Sequence, residues 1–172
     1  MHDEIETLRN GTKVRVRSVR PDDKNRLSEA FRNLEPESIY LRFFHEKISL
    51  TDADLKWATE VDFDDIVALV VTVGEGESEA IIGAGRYLCL GGAKEQATAE
   101  VAFAVEEGFH RQGIAGMLLR HLADIARGKG IRRFSAWVLA RNTGMLSVFS
   151  QSGFSVTTRG EGDTLHVTLS LP

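Results

Sequence analysis

The run from Glu100 to Gly116 constrains the fold more than any other part of the chain. Val101, Phe103 and Val105 alternate with Ala102 and Ala104, the period of a half-buried strand. From Ile114 the period changes. Ile114, Met117, Leu118, Leu122 and Ile125 recur at helical spacing, while Arg120, Asp124 and Arg127 fall on another face. Between the two lies His110-Arg111-Gln112-Gly113-Ile114-Ala115-Gly116, a tight turn into the helix. Two glycines and an alanine leave little side chain over the first helical turn. The unpaired N–H groups there sit at the positive end of the helix dipole, a place suited to phosphate.

Around this unit the chain reads as one domain, residues 1–172, long enough for a sizeable core. Residues 12–19 form a first strand, alternating Val14 and Val16 with Lys13, Arg15 and Arg17. Pro21, Asp22 and Asp23 open a helix whose apolar face is Leu27, Ala30, Phe31 and Leu34. A short helix from Pro36 carries Ile39, Tyr40, Phe43 and Phe44. Thr51, with Asp54 three residues on, caps a further helix that turns Leu55, Ala58 and Trp57 inward. Residues 66–73 are a β-branched run, hence a buried strand. Residues 80–90 form the next strand, where Gly83 and Gly85 mark a bulge or a close backbone approach. Gly91 to Gln96 turns back into 99–105, so these three strands form an antiparallel meander. Gly128-Lys129-Gly130 stops the long helix. Residues 134–138 are a strand parallel to 99–105, because a helix crosses between them. Asn142 precedes another helix, which closes at Ser152-Gly153-Phe154, and a strand pair turns at Glu161-Gly162-Asp163.

A net charge of −4 argues against a nucleic-acid partner or an anionic membrane surface. No apolar run is long enough to cross a bilayer, and Met1-His2-Asp3-Glu4 has no signal-peptide character, so a cytoplasmic protein is expected. Cys89, the single cysteine, lies in an apolar run and reads as a small core residue rather than a nucleophile. The five histidines, His2, His45, His110, His121 and His166, show no ligand spacing. No metal is expected, and His121 is placed on the solvent side of the long helix. Asp62, Asp64 and Asp65 read as a solvated acidic turn.

The turn from His110 to Ala115 resembles the coenzyme-binding motif of the GNAT N-acetyltransferase superfamily, Gln/Arg-x-x-Gly-x-Gly/Ala. His110 stands where Gln or Arg is usual, and Gly113 and Ala115 match. Asn142, with Gly153 and Phe154 downstream, is similar to the family's second segment, and the order of elements follows the family over nearly the whole chain. The segment from Pro36 to Phe44 is further similar to Pat-type bacterial protein lysine acetyltransferases, here as the catalytic domain only. The resemblance implies an α/β (α+β) GNAT fold: a mixed, mostly antiparallel twisted sheet of about six to seven strands flanked by helices. The parallel pair 99–105 and 134–138 would be splayed.

The resemblance also implies acetyl-CoA as co-substrate and direct transfer of acetyl from the coenzyme sulfur to an amine. The favoured acceptor is a protein lysine, for instance on an acyl-CoA synthetase. The pantetheine arm would lie by Phe103, Ala104 and Val105. The pyrophosphate would rest on the amides of His110, Arg111, Gln112, Gly113, Ile114, Ala115 and Gly116. Asn142 would bind the arm or cap its own helix, and Phe149 would share that face. Glu100 stands where many members place a catalytic glutamate, and on a regular strand Ala102 and Ala104 leave room beside it. Glu106 and Glu107 lie in the turn and are poorer candidates. A free carboxylate and a free lysine ammonium differ by ~6 pKa units, about 8 kcal/mol, a gap that burial or a water relay narrows. Many members protonate the departing thiolate with a tyrosine. Here that position is Phe149, which cannot donate; Ser147 and Ser150 are nearby hydroxyls, and a thiolate of pKa ~8.5 can take its proton from water. Two other readings stay open: a small-molecule amine or protein N-terminus as acceptor, and a non-catalytic acyl-CoA sensor. A Rossmann domain fits poorly, since no Gly-x-Gly-x-x-Gly follows the first strand. A monomer and a homodimer both fit.

Overall fold

A computed structural model describes residues 2–43, 49–90 and 97–172. The strands are β1 (Asp3–Thr7), β2 (Lys13–Ser18), β3 (Ile66–Val73), β4 (Ala80–Cys89), β5 (Thr98–Val105), β6 (Arg133–Leu139), β7 (Ser155–Glu161) and β8 (Thr164–Ser170). They form one eight-stranded sheet in the order β1-β2-β3-β4-β5-β6-β8-β7. Among the described residues only β5 and β6 run parallel. The helices are α1 (Lys24–Arg32), α2 (Pro36–Phe43), α3 (Asp52–Thr59), α4 (Ile114–Gly128) and α5 (Thr143–Ser150). Phe44, His45 and the Gly91–Gln96 turn lie outside the described residues.

The sheet has one strand more than the sequence suggests. The addition is β1, whose residues Asp-Glu-Ile-Glu-Thr show no buried alternation, and Ile5 is 58% exposed. It is held by edge pairing to β2 rather than by a buried face.

Alternation along β5 sorts the two sides of the sheet. Ala99, Val101 and Phe103 join the main core with Ile114, Leu118 and Leu122 of α4. Each such fully buried apolar side chain contributes about 1.5–3 kcal/mol. A Cβ on Gly83 would lie 2.8 Å from Ile114 Cγ2, and one on Gly85 2.8 Å from Phe103 Cδ1. Both glycines therefore mark close approaches. The expected bulge is also there: register steps from Val71↔Gly83 to Thr72↔Ile81, leaving Ile82 over.

The opposite face lies under α1, α2 and α3. Arg17, Val70, Ala84 and Ala104 form one cross-strand row, and Ala68, Arg86 and Ala102 the next. Asp23, read from sequence as a helix-start acid, is fully buried and takes two hydrogen bonds from Arg17, at 2.8 and 2.9 Å. Arg17 Nε reaches Glu79 at 3.1 Å. α3 carries the expected cap: Asp54 N–H donates to Thr51 Oγ1 and Thr51 N–H to the Asp54 carboxylate. Among the described residues no helix is long and apolar enough to cross a membrane.

Candidate active site

β5 and β6 pair at Thr98↔Arg133, Ala99↔Phe134 and Glu100↔Ser135, and no further. Beyond Glu100, β5 stays with β4 and β6 stays with β8. The β6-facing backbone of Val101 to Val105 is thus left without a strand partner. A groove of about 1010 Å³ opens there. Phe103, Ala104 and Val105 line one wall, His110 to Met117 another, and Asn142, Met145 and Phe154 a third.

The loop leading into α4 is shaped by two left-handed residues, Arg111 (φ 66°) and Gly113 (φ 88°). The first is unfavourable for an arginine and needs bracing. Arg9 Nη1 donates to the Arg111 carbonyl at 3.1 Å, and Asn10 N–H donates to Gln112 Oε1 at 3.0 Å. His110 Nε2 donates to the Val105 carbonyl at 2.7 Å, so its ring ties the loop to the end of β5 while its backbone lines the groove. Gly113 is the N-cap of α4 and no side chain caps it. The first helical bond runs from Met117 N–H to the Gly113 carbonyl. The amides of Ile114, Ala115 and Gly116 have no protein acceptor among the described residues. A Cβ on Gly116 would meet nothing within 4 Å, so the turn opens onto the groove. Free amides at a helix start, with room above them, suit a phosphate group.

Arginines ring this end: Arg9, Arg111, Arg120 and Arg127 all line the groove. Arg120 is paired with Glu6 at 2.5 Å and Arg127 with Asp124. Arg9 and Arg111 have no ion pair among the described residues. Arg9 comes from the β1–β2 turn, so no local pattern near the glycine motif could have pointed to it.

Asn142 is the N-cap of α5, its Oδ1 accepting from Met145 N–H at 3.2 Å. It also lines the groove, and its amide nitrogen has no partner among the described residues. Phe149 is placed differently from expectation. It is 1% exposed, stands edge-on to Phe103 at 6.3 Å between ring centroids, and is absent from the groove lining. It supports the Phe103 wall from behind, because the inner face of α5 must bury an apolar group against β5. Ser147 lines the groove; Ser150, bonded to the Ser147 carbonyl, does not. No tyrosine is among the described lining residues.

Glu100 is half-buried at the last paired position before the strands part. It shares a face with Ala102 and Ala104, yet it is absent from the lining of both the groove and the neighbouring cavity. On that face a second cavity, about 400 Å³, lies between the sheet and the three N-terminal helices. Leu34, Arg42 and Ala104 line both spaces, so the two meet beside β5. Burial lowers the pKa of Arg42, and the charge of Glu100 partly restores it. Arg86, 9% exposed, lies with its guanidinium 3.4 Å over the Trp57 ring, and its Nη2 has no hydrogen-bond partner. Burial, with the charge of Arg42 added, pulls Arg86 down to about 10, so it stays charged at neutral pH. An orphaned buried donor costs about 1–3 kcal/mol. Sequence reading passed over both arginines; the available signal was one cation interrupting the apolar run of β4.

Outside these spaces, His121 corrects the sequence expectation. It is 5% exposed, because β1 lies over α4. His2 Nε2 is 2.7 Å from its Nδ1, and Glu6 is 2.5 Å from its Nε2. His2, Glu4 and His121 bring ligand-type atoms within 4.8 Å of one another, a gathering that linear spacing did not suggest. Asp62 accepts from the amides of Asp64 and Ile66, and these bonds hold its carboxyl below the usual range. Neither cavity includes it. Burial raises the Cys89 thiol, although the residue is only partly buried and packs against the edge of the main core rather than within it.

The family model of the acetyltransferase (GNAT) family matches residues 25–154. The crystal structure of the GNAT domain of S. lividans PAT is 34% identical, with a TM-score of 0.89 over 98% of this chain and 97% of that one. An acetyltransferase of Pseudomonas aeruginosa is 28% identical over 150 residues, 87% of this chain and 79% of its own. Acetyltransferase Pat of Mycolicibacterium smegmatis is 31% identical over 146 residues, which are 85% of this chain but 42% of that protein. The chain thus spans less than half the length of that relative. With one family's pattern matched across most of its length, and a near-complete overlay on a solved GNAT domain, the chain belongs to the GNAT family of acetyltransferases.

Proposed function

We propose that the chain is an acetyl-CoA-dependent N-acetyltransferase that passes the acetyl group directly from the coenzyme sulfur to a protein lysine. The observation that carries this reading is the parting of β5 and β6 after Glu100↔Ser135, which joins unpaired strand backbone to the free amides of Ile114 to Gly116. That shape suits an extended ligand with a diphosphate at one end. The pantetheine arm would bond along Phe103 to Val105, with the Asn142 amide across from it. The diphosphate would rest at the start of α4, with Arg9 and Arg111 beside it.

The place of Glu100, at the last paired position before the strands part, supports its role as the base. Glu100 accepts a proton from the incoming ammonium, directly or through water. The neutral amine attacks the thioester carbonyl, the C–N bond forms, the nitrogen gives its second proton to water, and the C–S bond breaks to release a thiolate. Since Phe149 is buried and cannot donate, that thiolate takes its proton from water or from Ser147. Similarity to the Pat proteins supports the protein lysine acceptor. The single cysteine and the lack of a membrane-spanning helix among the described residues support a cytoplasmic setting, with the chain acting as one domain.

The test is thiol release from acetyl-CoA in the presence of lysine peptides, acyl-CoA synthetases and polyamines. Turnover is expected with the peptides or synthetases. Glu100→Gln is expected to lower kcat/KM by about 100-fold or more, with acetyl-CoA affinity retained in calorimetry. Tight acetyl-CoA binding with no turnover on any acceptor would make the domain a sensor. Turnover confined to polyamines would move the acceptor to small amines.

A further inference from the structure

We propose that the cavity under α2 and α3 is an acceptor subsite, in which Arg42 and Arg86 hold a carboxylate that accompanies the amine to be acetylated. The inference rests on the acetyl-transfer reading of the adjoining groove and names the acceptor chemistry that reading leaves open.

Position is the first argument. Arg86 pairs across strands with Ala102, and Glu100 lies two residues along β5 on the same face, opposite Leu88. Arg42 acts electrostatically on both Glu100 and Arg86, and it lines both spaces. Glu100 lines neither space, but Arg42 couples it to the cavity, so a carboxylate held by these arginines would sit beside the amine that Glu100 serves.

The state of the arginines is the second. Arg86 is nine-tenths buried, and neither it nor Arg42 has an ion pair or hydrogen bond among the described residues. The carboxylates of Asp54 and Glu106 also line the cavity. Asp54 is engaged at the start of α3, where its carboxylate accepts from Thr51 N–H. The Arg86 guanidinium carbon lies 3.4 Å from the centroid of the Trp57 ring, which braces it at the cavity wall. A guanidinium's N–H fork matches a carboxylate. The sheet floor is small and apolar (Ala68, Ala84, Ala102), leaving about 400 Å³, room for an amino-acid-sized group. A carboxylate carried beside the amine would supply the ion pair that neither arginine finds among the described residues.

The carboxylate can come from an acidic side chain next to the acceptor lysine, or from a free amino acid. Matched acceptors separate the two: lysine peptides with a neighbouring Glu or Gln, and free lysine against cadaverine. The carboxylated member of a pair is expected to show a kcat/KM roughly 10- to 100-fold higher. That ratio should fall to about one in Arg86→Met and Arg42→Gln and recover partly in Arg86→Lys, with acetyl-CoA affinity unchanged in the two Arg86 variants. Arg86→Met should also raise Tm, because a buried unpaired cation gives way to an apolar chain of similar length. Preference within the peptides assigns the carboxylate to a protein side chain; preference for lysine over cadaverine assigns it to a free amino acid. A wild-type ratio of one in both pairs overturns the subsite, as does a loss of stability in Arg86→Met with the ratio intact. If no acceptor turns over, the acetyl-transfer reading falls, and the subsite is still read by quenching of Trp57 fluorescence with glutarate in a Trp137→Phe background. Saturable quenching that Arg86→Met abolishes upholds it, and its absence removes it.

Discussion

Arg17 and Arg86 flank β3 on the same face of one sheet, both nearly out of water, and the fold treats them in opposite ways. Arg17 is 3% exposed and spends its guanidinium on Asp23 and Glu79. Burial alone would lower its pKa, but the hydrogen bonds to Asp23 and Glu79 raise it well above the ordinary value. Arg86 has no such partner and burial wins. A buried cation that serves the architecture is neutralised by the chain itself. One left without an anion makes sense where a ligand supplies it. The paired site also ties three elements together: β2 through Arg17, the entry to α1 through Asp23, and the turn before β4 through Glu79.

The largest expected effect tests the paired side. Asp23→Ala should cost about 3–5 kcal/mol in chemical denaturation, because it strands Arg17 and also frees Arg26 and the Arg20 amide. Arg86→Met moves stability the other way. A loss below about 1 kcal/mol in Asp23→Ala would erase the distinction.

Acid titration gives the next effect. Burial would raise the pKa of Asp23, but hydrogen bonds from Arg17 and the Arg20 amide hold it below the usual value. Glu79 is likewise held down, with burial outweighed by its bonds to Arg17. Both folded values are depressed, so the stability they contribute is present above the ordinary carboxylate pKa of about 4 and is lost as pH falls through the folded values. Each unit of depression carries about 1.4 kcal/mol. Arg17→Met should flatten this acid limb, while Arg86→Met should leave it unchanged, as followed by Tm between about pH 6 and pH 2.

The same contrast explains what the sequence made legible. The strand, glycine turn and long helix were readable because their signals are local: a period of two becomes a helical period across Gly113. The Thr51 cap and the bulge near Gly83 were readable for the same reason. β1 was not, since Asp3 to Thr7 is a polar edge strand whose place is set by pairing with β2. His121 was misplaced because β1 arrives from over a hundred residues away to cover it. Asp23 was rightly put at a helix start, yet its partner Arg17 could not be inferred without the angle between β2 and α1. At the candidate site, the residues around Gly113 were found through a family pattern and converge on one groove. Arg9, Arg42 and Arg86 were missed because each reaches its space across the fold. Phe149 was read onto the groove face with Asn142 and Met145, but it packs behind Phe103, because which residues of α5 turn inward depends on how the helix packs.

The smallest effect is the sharpest test of how Arg86 is held. Trp57 is 54% exposed, yet its ring lies against the guanidinium of a buried residue. A cation–π contact at a site this open is worth about 0.5–1 kcal/mol, and Trp57→Ala should cost no more than about that in denaturation. Its effect on function should be larger. Without the ring the guanidinium loses the contact that braces it, and the preference for carboxylated acceptors should fall several-fold. Trp57→Phe keeps a face for the cation and should retain most of that preference. If Trp57→Ala instead destabilised the fold as much as Asp23→Ala, the ring would be doing for Arg86 what Asp23 does for Arg17. The two arginines would then both be structural, and the contrast between them would be one of partner rather than of purpose.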